Sequence, residues 1–128
     1  MRFVRPSAAT ASRTRLSNMS DAIRQERCAE VANCVMVLIP TILEGKANPE
    51  RLAEAMPAVE RLRAVVEAGA SGIEDERYLQ WLRVAPANIR ALEHAVEAGD
   101  ADAAFAAFRD PAAGLHLLSA GCEGCAGW

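Results

Sequence analysis

Apolar residues recur along this chain at spacings of three and four, and glycines interrupt the rhythm. Ile23, Val31, Val35, Leu38 and Ile42 form a first stripe, and Leu52, Ala55, Val59, Leu62 and Val66 a second. Leu82, Ala85, Ile89, Leu92 and Val96 form a third, and Phe105, Phe108, Ala112, Leu115 and Leu118 a fourth. Alternating steps of three and four average about 3.5 residues, close to one helical turn, so each stripe is the apolar face of a helix with a charged back. Gly45, Gly69 and Gly99 stand where the stripes stop, as glycine does past a helix end.

The start signals agree with this division. Ser20 is the expected N-cap of the first helix, with Asp21 in its first turn, where negative charge suits the helix dipole. Asn48 followed by Pro49 opens the second. Ser71-Gly-Ile-Glu74 reads as a capping box for the third. Asp100 opens the fourth, and Asp110-Pro111 offers a restart. Pro40 is expected to kink the first helix near its end; Pro57 and Pro86 are expected to bend or break the second and third. Four such helices joined by short loops predict an all-α fold: an antiparallel four-helix bundle, up-down-up-down, over residues 19–128.

Composition adds a separate N-terminal segment. Residues 1–18 carry Arg2, Arg5, Arg13 and Arg15 and no acid, whereas the rest holds 10 Lys/Arg against 17 Asp/Glu. Three readings fit the segment: a disordered basic tail, an organelle transit peptide, or an extension upstream of a true start at Met19. All three place it outside the fold. An acidic body argues against a nucleic-acid partner, because neutralising phosphates needs a basic face. The longest apolar run, Cys34 to Leu43, is ten residues, against the roughly 20 that a bilayer span needs, so no membrane helix is expected. No apolar stretch follows Arg2 and Arg5 as a secretory signal requires. The expected location is cytoplasmic, or organellar if residues 1–18 act as a targeting segment.

The chemistry concentrates in the cysteines. Stepping past Leu118 by four and then three reaches Cys122 and Cys125, so both thiols fall on the core-facing seam of the fourth helix. Gly121, Gly124 and Gly127 weaken that helix, each by about 1 kcal/mol relative to Ala. A two-residue gap lets both sulfurs reach one centre. In an up-down-up-down bundle the start of the first helix and the end of the fourth share one end of the molecule, so Cys28 is placed to meet Cys122 and Cys125. Cys34 lies six residues beyond Cys28, about 9 Å along the helix axis and 240° around it, which suits a buried small hydrophobe better than a fourth ligand. His116 is a further candidate ligand; His94 reads as a surface residue.

Five stretches together resemble the cytochrome c′ family: Ile42-Leu-Glu-Gly-Lys46, Tyr78-Leu-Gln-Trp81, Ala95-Val-Glu-Ala-Gly-Asp100, Ala103-Ala-Phe-Ala-Ala-Phe108 and Cys122-Glu-Gly-Cys125. The resemblance spans residues 20–125 and implies a four-helix bundle with haem attached through Cys122 and Cys125, an electron-transfer role and pairing into a homodimer. The family's axial histidine follows its second cysteine, where this chain has Ala126, so the resemblance supplies no axial ligand and the iron would need His116 or another ligand.

Three functions remain open. One is a small redox or metal-centre protein using Cys122 and Cys125, with Cys28, to hold a soft metal such as zinc or iron or to form a reversible disulfide with a redox partner protein. The second is haem binding. The third is a helical interaction or regulatory module with incidental thiols. No Ser/His/Asp set, phosphate-binding glycine loop or His-Glu-x-x-His motif is present, so no enzyme activity is expected. Glu74-Asp75-Glu76 reads as a helix-start charge group.

Overall fold

The computed structural model describes the backbone from residue 8 and the side chains from residue 21. The expected disordered tail therefore lies partly outside the described residues. Five α-helices follow one another, and no strand occurs among the described residues: α1 (Ala8–Ala47), α2 (Met56–Glu67), α3 (Glu76–Glu97), α4 (Ala101–Phe108) and α5 (Leu115–Gly121). A 3₁₀ segment, Pro49–Ala55, joins α1 to α2. The fold is all-α, as the periodicity predicts.

The core takes one face from each helix. Val31, Leu38 and Ile42 of α1 are fully buried, joined there by Cys28 and Cys34. Leu52, Ala55, Val59 and Leu62 are buried as expected. The stripe then shifts: Ala58 and Val65 are buried, and Val66 only partly so. The cause is the 3₁₀ segment. It turns every three residues rather than every 3.6, so Leu52, Ala55 and Ala58 align at steps of three and the following α-helix inherits the offset. Pro57 sits in the first turn of α2, where its missing N–H costs nothing. The expected break in the second segment is this change from 3₁₀ to α. By contrast, α3 runs unbroken through Pro86 and α1 through Pro40.

The helix starts differ from expectation in three places. The backbone is helical through Ser20, which is therefore interior to α1. Helix α3 begins at Glu76, capped by Asp75, whose carboxylate accepts from the N–H groups of Arg77 and Tyr78 at 3.0 Å each. Ser71 instead lies in a turn with Gly72 at φ +80°, and Ile73 N–H donates to Ala70 O at 2.8 Å while Ile73 is buried. Asp100 does cap α4, accepting from Ala103 N–H at 3.0 Å. The restart falls at Leu115 rather than at Pro111. Asp110 caps the intervening turn through Ala112 N–H at 2.8 Å. Gly114 closes that turn, because a Cβ there would lie 2.4 Å from Phe108 O.

Helix α1 packs against the 3₁₀ segment, α2 and α4; α3 packs against α2, α4 and α5. Over Asp21–Ala47, α1 is long and apolar enough to cross a membrane by length and composition, with a third of its most apolar stretch buried inside the fold. Met36, Val37, Ile39 and Leu43 remain exposed along it.

Candidate functional site: a cysteine cluster joining α1 to the C-terminal turn

The C-terminal residues fold back onto the Asp21–Ala32 part of α1 and the start of α3. Gly121 makes the approach possible. A Cβ at that position would stand 3.0 Å from Tyr78 Cα, a tight contact with backbone, so glycine lets α5 cross α3 at this distance without a shift. The glycine that weakens the helix by propensity favours the close packing. Arg24, 11% exposed at its side chain, holds the end of α5. Its guanidinium donates to Gly121 O at 3.0 Å and to Glu123 O at 3.3 Å, and pairs with Asp21 at 2.9 Å. These are carbonyls that a helix C-terminus leaves unsatisfied, and a cation there also suits the dipole. Arg77 pairs with Glu123. Trp128 Nε1 donates to Cys28 O at 2.9 Å across 100 residues of sequence.

These contacts surround the cysteines. Cys28 and Cys122 form a disulfide, with Cα atoms 5.6 Å apart and a sequence separation of 94. Both are 0% exposed. Cys125 is a free thiol, 4% exposed, and its N–H donates to Cys122 O at 3.0 Å, so Cys122–Cys125 is a hydrogen-bonded turn. Burial pushes the Cys125 thiol above its ordinary value; Arg24 pulls it back, and Asp21 and Asp75 add to the rise. Cys34 is also free and fully buried, its thiol raised by burial and by Glu30.

Cys28, Cys122 and Cys125 thus share one end of the molecule. His116 is exposed and lines a surface hollow with Arg109, Pro111, Leu115 and Ser119. With Cys28 and Cys122 bonded to each other, neither is a thiolate ligand, and no group of three or more His, Cys, Asp or Glu side chains among the described residues is placed to hold a metal ion. The donor set does not suit a covalently attached haem in this state either, since Cys122 is already engaged and Ala126 follows Cys125.

Sequence reasoning missed Arg24, Asp75 and Trp128. Arg24 had a readable signal: it stands four residues before Cys28, on the buried stripe, where a lone cation needs partners. Asp75 was masked by the capping-box pattern just before it. Trp128 carried no periodic signal.

Compared with protein-family models, with curated proteins and with solved structures, the chain matches none.

Proposed function

We propose that this chain is a small, non-catalytic helical redox protein whose Cys28–Cys122 pair cycles between disulfide and dithiol against a partner dithiol protein. The observation that supports the reading is a third sulfur, Cys125, held on the same buried turn as a disulfide that ties the two ends of the fold. A thiol beside a disulfide permits exchange, which a plain staple does not need. The finer architecture belongs to the same proposal. The five helices act as an up-down-up-down bundle in which α4 and α5 together serve as the fourth helix; the packing of α1 on α2, α2 on α3, and α3 on α4 and α5 supports it. A cytoplasmic location fits a bond that is made and broken, because cytosolic thiol pools keep permanent disulfides rare.

Equilibration in glutathione buffers of stepped potential, read by alkylation and mass, tests the reading. A midpoint above about −300 mV is expected; a lower midpoint assigns the bond a purely structural role and leaves a helical interaction module. A second reading, soft-metal binding by the reduced form, is favoured by the convergence of Cys28, Cys122 and Cys125, which reduction turns into three sulfur ligands. Reduced protein that retains about one zinc per chain after desalting supports it.

A further inference from the structure

We infer that Cys125 is a relay thiol: it attacks Cys122 from inside the fold and moves the disulfide from the buried Cys28–Cys122 pair to the terminal Cys122–Cys125 pair, releasing Cys28. This rests on the proposed redox reading and names the residue that performs the exchange.

Access selects Cys125. Disulfides are opened by a thiolate approaching one of their sulfurs, and Cys28 and Cys122 are each 0% exposed. Trp128 is bonded to the carbonyl of Cys28, and Gly121, next to Cys122, abuts the backbone of Tyr78. A thiol in solution meets this closed surface. Cys125 is already behind it. The hydrogen bond from Cys125 N–H to Cys122 O makes a four-residue turn, which brings the end Cα atoms within about 7 Å, the upper edge of the range a disulfide spans. Gly124 in that turn has φ +85°, and nothing lies within 4 Å of where its Cβ would be, so the turn has both the conformational freedom and the room to tighten. Cys34 has neither route. It stands six residues along α1 from Cys28, about 9 Å further along the axis, with Glu30 and Arg61 as its charged neighbours.

The step balances without an outside reagent. Cys125 gives its proton to water, and its sulfur bonds to the sulfur of Cys122. The Cys28–Cys122 bond breaks, its electron pair leaves on Cys28, and Cys28 takes up a proton. One disulfide and one thiol are present before and after. The product differs in topology: the C-terminal turn is no longer covalently tied to α1 and is held by Arg24, by the Arg77–Glu123 pair and by Trp128 alone. With the covalent tie gone, a partner dithiol reaches the terminal pair only as the turn lifts from those contacts, since Cys122 and Cys125 are 0% and 4% exposed while it is docked.

The oxidised full-length protein, held without added thiol at pH 9, quenched in acid, alkylated and peptide-mapped, tests this. A population carrying a Cys122–Cys125 disulfide with alkylated Cys28 is expected. Cys28–Cys122 in every molecule with Cys125 always alkylated overturns the relay. The rate of reduction by dithiothreitol is the second readout. Cys125→Ser and Cys125→Ala are each expected to slow it by about tenfold or more, because an intramolecular thiol acts at high effective concentration, whereas Cys34→Ser leaves it unchanged. Reduction of both Cys125 variants at the wild-type rate also overturns the relay. The glutathione titration answers a separate question: a midpoint in the structural range ends the redox reading even where mapping finds the exchanged pair.

Discussion

The two halves of the Asp21–Ala47 part of α1 are held in opposite ways. From Asp21 to Ala32 the helix is fixed by directed bonds: the Cys28 disulfide, the Arg24 guanidinium on two carbonyls, and the Trp128 indole on a third. From Cys34 to Ala47 it is fixed by shape. Cys34, Leu38 and Ile42 fill the core, and Gly45 lets Leu52 approach so closely that a Cβ would meet it at 3.2 Å. The first half brings carbonyls and the partly buried Arg24 guanidinium together, and their hydrogen bonds satisfy each other. The second buries almost nothing polar and tolerates Met36, Val37, Ile39 and Leu43 in solvent. Directed bonds fix one register and one partner, whereas apolar packing gives stability that is indifferent to redox state.

Substitutions sharpen the contrast, beginning with the largest effect. Cys122→Ser in the bonded half is expected to lower stability by about 4 kcal/mol, the scale for a disulfide closing a loop of this length. In urea melts most of the loss should vanish when wild type and variant are compared in excess reductant, leaving the smaller cost of a hydroxyl at a fully buried site. Leu38→Ala in the packed half is expected to cost about 3 kcal/mol through the cavity it leaves, and to cost the same with or without reductant. A reductant-dependent Leu38→Ala deficit breaks the comparison. Arg24→Met keeps the aliphatic stem but strips the carbonyl contacts; about 1–2 kcal/mol is expected, with proteolysis beginning at the C-terminal turn.

Alkaline pH acts on both halves. Burial raises Cys34 and Cys125 above their ordinary thiol value of 9.0 and Tyr78 from 10.0 to about 12. Groups raised by folding favour the protonated chain, so their contribution is complete at neutral pH and is lost as pH climbs. Chemical melts at pH 7, 9 and 10.5 should therefore give falling midpoints, with Tyr78 contributing only above about pH 10. The smallest effect is expected from Met36→Gln, within about 0.5 kcal/mol, since Met36 is 75% exposed.

Where one helix type continued the stripes were legible in the main, with Ile23 and Val35 of α1 and Leu82 of α3 only partly buried. In α1, Val31, Leu38 and Ile42 are read correctly because nothing disturbs the 3.6-residue period, and Asp100 is read correctly because it directly follows the glycine that ends α3. Val66 was misplaced by one residue because composition does not distinguish a 3₁₀ turn from an α turn, and the error carried into α2. Ser71 was preferred to Asp75 because the capping-box spacing is satisfied by Glu74, while the buried Ile73 that pulls the chain into a turn acts through tertiary packing. In the cysteine cluster, topology alone placed Cys28 near Cys122 and Cys125. It did not choose between bonding partners, since that depends on Gly121 meeting Tyr78 and on Trp128 folding back over α1.

The Cys28–Cys122 bond also turns most of the described chain into a covalent ring that encloses α2, α3, α4 and α5. A single peptide-bond cut anywhere between those cysteines opens the ring but leaves both fragments joined. The nicked molecule keeps its parts covalently together for as long as the Cys28–Cys122 bond stands, so the loop at Ala68–Asp75 or the one at Arg109–Gly114 can carry new chain ends while that bond is in place.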